Sequence, residues 1–343
     1  MPRVGIRHAR VLGAVVQALP LLIVTSAVHA VDAAPAADAT PMPVAFVETF
    51  NKLSKGPHPG YRANHAKGIL VTGTFTPAKG AADLSMAPHF AQKVAATVRF
   101  SDPTGVPNMP DANPNASPHG MAIRFDLPGG ANADMVCISA STFPVAKPEE
   151  FLQMLQAVAA SGPGSAKPSP IEKFLREHPA AAKWVSTPRA APVSFATLPF
   201  YGVNAFKFTN AAGKVRYGRY EIVPEAGSQS LTTEQTAAAD PDYLMKELPE
   251  RMARGPVRFH LYAQIASADD PINDATKPWP AQRERVELGT LNLTKISADQ
   301  ATMQKSLLYF NPLALPNGID PSDDPILLAR PPAYAVSFGQ RMQ

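Results

Sequence analysis

Sulfur bridging is nearly absent from this sequence: a single cysteine, Cys137, stands among 343 residues. No disulfide can close within the chain, and no thiolate cluster can hold a metal. The folded part must therefore be stable from its core alone. Charge is sparse too. Charged residues make up 17% of the chain and the net charge is +4. The basic residues are dispersed and not interleaved with aromatics, which excludes a nucleic-acid footprint. Beyond the N-terminus no run is apolar enough to span a bilayer. The eight histidines show no H-x-x-x-H or H-E-x-x-H spacing, so a histidine-bound zinc or copper site has little support. The G-x-S-x-G elbow, the G-x-x-x-x-G-K cradle and a helix-opening G-x-G-x-x-G are all missing. Hydrolase, nucleotide-binding and dinucleotide-binding readings lack their basic parts.

Proline is what the chain has in excess: 37 residues, about twice average usage. Proline is barred from helix interiors and central strands, so a loop-rich fold is expected. A 45% hydrophobic content is that of a globular protein. The length allows one large domain or two ordinary ones. Arg3, Arg7 and Arg10 precede an apolar run over residues 11–28, and Val28-His29-Ala30 closes a small-x-small pattern. That order predicts a cleaved secretory signal peptide over residues 1–30. Gln17 and Pro20 interrupt the run, which is short for a membrane span. Residues 31–42 (VDAAPAADATPM) read as a flexible leader, and 43–343 as one folded domain. A periplasmic or secreted protein without stable membrane insertion is expected.

Alternation and β-branched or aromatic content predict eight strands, over residues 69–75, 96–101, 121–126, 135–139, 205–209, 215–223, 257–265 and 286–293. Asn210-Ala211-Ala212-Gly213 is a hairpin turn signal. Helical patterns cover 148–160, with Pro148 first and Glu149 and Glu150 in the opening turn, and also 170–185 and 242–253. Strands come in groups without a βαβ alternation. The expected class is α+β, an eight-stranded antiparallel β-barrel with surrounding helices.

A scattered set of residues could carry chemistry. Arg62-Ala63-Asn64-His65-Ala66-Lys67-Gly68 leads into the first strand, and Val98-Arg99-Phe100-Ser101 ends the second. Arg330-Pro331-Pro332-Ala333-Tyr334 lies near the C-terminus, with Arg341 seven residues on. Taken singly, each has an ordinary reading. A lone histidine before a strand is more often a surface or satisfied core residue, and R-x-x-x-Y is common by chance. On one helix, however, Arg330 and Tyr334 would share a face at i, i+4, and a guanidinium there would stabilise a phenolate.

In this order the pieces resemble the haem catalase superfamily, and more closely its shorter periplasmic branch, the catalase-related peroxidases. The resemblance runs from about Pro43 to the C-terminus. It is carried by R-x-x-H-A-K-G at 62–68, V-R-F-S at 98–101, P-H-G-M-A-I-R-F at 118–125, N-A-F-K-F-T-N-A-A-G-K-V-R-Y at 204–217 and G-I-D-P-S-D-D-P-I-L-L-A-R-P-P-A-Y at 318–334. The resemblance implies a catalase-like barrel and a b-type haem. Tyr334 would ligate its iron as a phenolate, which Arg330 would keep ionised. His65 would be the acid/base on the opposite face, oriented by Ser101. Arg62, Arg99 and Arg341 would pair with the haem propionates.

Three departures bear on activity. Where large catalases place a distal asparagine, residues 139–145 (SASTFPV) carry none; Ser141 matches that place, or Ser139 in a shifted register. His119 stands where large catalases tend to carry arginine, and the chain is shorter than theirs. These shift the expectation from catalase toward a peroxidase that reduces hydrogen peroxide or organic peroxides with an organic electron donor, with weak catalase activity. A monomer or homodimer is expected. Two other readings use the same residues: a haem-dependent hydroperoxide isomerase or synthase, and an exported haem-binding protein without turnover. Cys137 reads as a buried apolar thiol.

Overall fold

The computed structural model describes residues 40–302, 304–305 and 309–343. The predicted signal peptide and all but the end of the leader lie outside the described residues. Ten strands form one antiparallel sheet: β1 (Gly68–Pro77), β2 (Val94–Ser101), β3 (Gly120–Asp126), β4 (Asn132–Ile138), β5 (Phe200–Tyr201), β6 (Phe206–Thr209), β7 (Val215–Pro224), β8 (Val257–Ile265), β9 (Arg285–Ile296) and β10 (Ile319–Pro321). The order β1-β2-β3-β4-β5-β7-β8-β9 returns to β1 and closes an eight-membered ring. All eight predicted strands are present.

The fifth strand of the ring is broken. Phe200 and Tyr201 pair with Ile222 and Glu221, and Phe206 pairs with Gly218 on the same edge of β7. Residues 202–205 therefore stand against only Arg219 and Tyr220, a wide bulge that bends the strand and re-aims its side chains. The predicted strand at 205–209 is the outer half of this unit, and β10 pairs with it. Its inner half is two residues long, too short to show a period of two. The turn at 210–213 is the predicted hairpin, with Gly213 at φ +77°.

Period-two alternation sorts the strands. Along β2, Ala96, Val98 and Phe100 enter the barrel core. Phe75, Phe125, Phe200, Phe208 and Phe259 fill the same interior and are wholly buried or nearly so. Each large apolar side chain buried this way contributes about 1.5–3 kcal/mol. The odd residues of β2, Arg99 and Ser101, face outward.

Helices cover part of the outside. A first helix, Met42–Ser54, packs on Pro148–Ala159 and on the C-terminal helix, Pro325–Met342. The helix predicted over 170–185 is two, Pro170–Glu177 and Pro179–Ser186. Pro179 removes an N–H and drives His178 out of helical geometry, to φ −125° and ψ 80°. The third predicted helix is Tyr243–Arg254, with Asp242 as its N-cap. Contrary to the expected exclusion of proline from helix interiors, Pro249 lies inside that helix, and Pro331 and Pro332 inside the C-terminal one. Two ladder hydrogen bonds are lost in the C-terminal helix. Asp324 compensates at its start by accepting from Ile326 N at 2.9 Å.

Candidate active site

Two cross-strand rows on the outer face of the barrel form one wall of a cavity. Register places Gly68, Ser101, Gly120, Ile138 and Tyr201 in one row, and Leu70, Arg99, Ala122 and Val136 in the next. The C-terminal helix supplies Arg330, Tyr334, Ser337 and Arg341 to the same cavity, which measures about 260 Å³. A buried water needs roughly 10–15 Å³ by this measure, so the cavity is shaped for a ligand of many atoms.

His65 enters from the loop before β1. Its Nδ1 lies 3.0 Å from Ser101 Oγ. The ring rests on Gly120, where an added Cβ would come within 2.9 Å of His65 Nδ1 and Cε1 and 2.7 Å of Ser101 Oγ. Only glycine leaves that space. His65 itself is left-handed, at φ +57°, a conformation that costs on the order of 1 kcal/mol and needs outside support. Support comes from Arg99 Nη2, which donates to His65 O at 2.9 Å and to Ala66 O at 3.1 Å. Burial, together with the positive charges of Arg99 and Arg62, pushes His65 down to about 3. The imidazole is therefore neutral at pH near 7 and able to accept a proton.

On the helix side, Arg330 donates to Tyr334 Oη from Nη2 at 3.1 Å and from Nε at 3.3 Å. This is the i, i+4 arrangement that the spacing suggested. Arg330 Nη1 donates to Asn204 Oδ1 at 2.9 Å, and Asn204 Nδ2 donates to Asp324 Oδ2 at 2.8 Å. Asn204 sits in the 202–205 bulge, so the irregular backbone is what aims its amide at the helix. A phenolate ligand wants a fixed cation beside its oxygen, and this chain of bonds fixes one.

Arg62, Arg99 and Arg341 all line the cavity. Arg99 Nε donates to Gln304 Oε1 at 2.9 Å, and Arg341 Nε to Lys305 O at 2.8 Å. Burial lowers all three guanidiniums, Arg99 to about 9 and Arg341 to about 10. The neighbouring arginines lower Arg62 and Arg99 further. Gly68 makes this crowding possible, since a Cβ there would lie 2.6 Å from Arg99 Nη2. An anionic ligand would relieve three crowded cations, and two carboxylates on one rigid group suit the geometry of guanidinium forks.

Of the predicted site residues, His65, Ser101, Arg62, Arg99, Arg330, Tyr334 and Arg341 are brought together. Ser141 is not: it is exposed and outside the cavity lining. Ser139 is engaged elsewhere, its Oγ accepting from His119 N at 2.9 Å. The chain turns away after β4, so this strand offers the cavity Val136, Cys137 and, last, Ile138, and Phe143 lines it further on. The polar partner expected on that wall is replaced by apolar surface. Gly120 and Asn204 lie within the stretches at 118–125 and 204–217 but were given no role there, and Gln304 lies in no such stretch.

A barrel with a buried imidazole, a cation-paired phenol and three guanidiniums around one external cavity has the parts that an oxidoreductase acting on peroxide needs. Comparison with known proteins agrees. Residues 36–342 match the sequence profile of the catalase family. A catalase-related peroxidase of Mycolicibacterium paratuberculosis is 36% identical over 290 residues, covering 83% of this chain and 90% of the relative. One from Synechococcus elongatus is 32% identical over 292 residues, covering 83% and 85%. Among solved structures, a fungal catalase superposes with a TM-score of 0.73 at 22% identity, over 86% of this chain and 62% of its own. Catalase A of Saccharomyces cerevisiae gives 0.72 at 22% identity, over 86% and 64%. At that identity the structural likeness bears on the fold, and this chain spans under two thirds of the length of those two catalases. The chain belongs to the catalase family.

Proposed function

We propose that this protein is an exported haem peroxidase, reducing hydrogen peroxide or organic hydroperoxides with an organic electron donor and releasing oxygen only as a side reaction. The observation that carries this reading is the meeting of His65–Ser101 and Arg330–Tyr334 on a single cavity. The residues present fit a b-type haem. Tyr334 Oη would hold the iron as a phenolate, and Arg62, Arg99 and Arg341 would take the propionates. Bound haem would supply the two-electron chemistry that cleaves the peroxide O–O bond.

The remaining work falls to the chain. With Nδ1–H donating to Ser101 Oγ, His65 Nε2 keeps its lone pair. It takes the proton of the inner peroxide oxygen and returns it to the outer one, which leaves as alcohol or water. Two equivalents of donor complete the balance: ROOH + 2 AH gives ROH + H2O + 2 A. Ile138 and Phe143 favour peroxidase over catalase, because a second hydrogen peroxide finds no polar anchor on that wall. Phe46, Phe50, Phe143 and Phe151 extend the lining with apolar surface suited to an organic peroxide or donor.

The test compares oxygen release with dye oxidation at equal peroxide on the haem-loaded protein. Dye oxidation is expected to dominate, and dominant oxygen release would reverse the proposal. His65→Ala should keep haem and lose its fast reaction with peroxide; an unchanged rate would remove His65 from the mechanism.

A further inference from the structure

Flanking the Ser101–Gly120 pair, one residue past the end of β2 and one residue before the start of β3, stand Asp102 and His119. Both are buried, and His119 Nδ1 lies 2.8 Å from Asp102 Oδ1. The carboxyl groups of Asp102 and Asp111 interact with each other, and no N–H or hydroxyl donor reaches Asp102 Oδ2. Two carboxylates have no donor between them, so a hydrogen bond joining them requires one proton. The surroundings say where it resides. Asp111 meets Lys67 Nζ at 2.5 Å and accepts from Leu244 N at 2.7 Å, both of which favour its anion. Asp102 has neither.

We propose that Asp102 is held as a neutral carboxylic acid whose Oδ2–H is shared with Asp111, and that Asp102 and His119 are positioning residues for His65. In this arrangement His119 Nδ1–H donates to Asp102 Oδ1. The backbone shows what the pair positions. Asp102 N donates to Lys67 O at 3.1 Å, Thr104 N to Asn64 Oδ1 at 2.8 Å, and Ala66 N to Thr104 O at 2.9 Å. The left-handed turn that carries His65 is thus pinned to residues 102–104. Asp102 is in turn pinned to His119, next to the glycine on which the imidazole lies. Loss of the shared proton would put two like charges in a buried site and strain the frame of His65.

Lys67, Arg99, His119, Asp242, Tyr243 and Lys246 surround the acid pair. Lys67 and Arg99 pull Asp102 toward ionisation, and Asp242 opposes them. Burial outweighs the cations and raises both carboxyls above the usual carboxylate range, as one proton held between them requires. His119, lowered by burial to about 4, is neutral above that value.

The proposal rests on His65 as the distal base, but its test needs no peroxide turnover, so the two can fail separately. The amide of Asp102→Asn reproduces the acid, donating to Asp111 and accepting from His119. Asp111→Asn deprives Lys67 of its buried partner. Urea unfolding of the full chain should show wild type losing stability relative to Asp102→Asn as the pH rises from about 5 toward 7, by up to about tenfold in the folding constant per pH unit. Asp111→Asn should be less stable than Asp102→Asn at every pH. Parallel curves for wild type and Asp102→Asn, or an Asp102→Asn variant no more stable than Asp111→Asn, overturn the shared proton. The His65 imidazole resonances should keep their wild-type positions in Asp102→Asn and move in His119→Ala. Unmoved resonances in His119→Ala overturn the positioning role.

Discussion

Asn204 Oδ1 accepts the Nη1–H of Arg330 at 2.9 Å, and the other end of the same amide donates to Asp324 at 2.8 Å. One side chain in a strand bulge thereby ties the barrel to the N-terminus of the C-terminal helix and to the cation beside Tyr334. Asn204 and Asp324 are buried. In Asn204→Leu each stranded polar group should cost about 1–3 kcal/mol. Urea unfolding measures the sum. A loss below about 0.5 kcal/mol, the range of an ordinary surface substitution, would mean that the amide does not hold the helix.

Tyr334→Phe removes the oxygen that Arg330 Nε and Nη2 share, leaving two donors of a partly buried guanidinium unmet. A moderate loss of stability, about 1–3 kcal/mol, is expected. The larger effect should be on the cofactor. The variant should bind haem weakly or with altered ligation, read as a changed Soret band and changed ferric charge-transfer bands. A wild-type spectrum from the variant would exclude Tyr334 as the iron ligand.

The strands were legible because apolar and polar residues alternate along them: Ala96, Val98 and Phe100, which enter the barrel core, alternate with Thr97, Arg99 and Ser101. Phe200–Tyr201 was not, because two residues carry no period. The C-terminal helix was hidden by Pro331 and Pro332, which tertiary packing tolerates and propensity does not. The site was legible where motifs carry it, at His65, Ser101, Arg330 and Tyr334. It was not legible at Ser141, because residue spacing cannot show that the chain turns away after Ile138. Asn204 lay in a recognisable stretch, but its role depends on a bulge that only the register with β7 reveals. His119 registered as a departure from large catalases, and the buried partner that explains it, Asp102, is seventeen residues away.

Gly120→Ala tests how closely the imidazole is held. The new methyl would meet Ser101 Oγ at 2.7 Å and His65 at 2.9 Å. Neither neighbour is the free end of a flexible chain, so the ring must move. A displacement near 1 Å at a reacting group costs about a hundredfold in rate. The variant should fold, bind haem and react with peroxide about a hundredfold more slowly. A wild-type rate would show that the approach of His65 to Gly120 is not part of the catalytic geometry.

Acid sensitivity should come from three buried histidines. Burial lowers His65 and His89 to about 3 and His119 to about 4, whereas in the unfolded chain they titrate near about 6.5. The unfolded state therefore binds protons that the folded state refuses. The stability these groups contribute is present above about pH 6.5 and is lost as the pH falls through the window toward about 4. His89 isolates one share of this loss. It lies outside the cavity, stacks on Phe125 with centroids 4.8 Å apart, and its Nδ1 has no hydrogen-bond partner. His89→Phe keeps the aromatic contact and removes both the unmet nitrogen and the proton. Below about pH 5 the variant should gain on wild type by up to about tenfold in the folding constant per pH unit, read from urea midpoints across the acid range. If the two curves run parallel, His89 takes up no proton on unfolding, and the acid sensitivity of the fold lies with other groups.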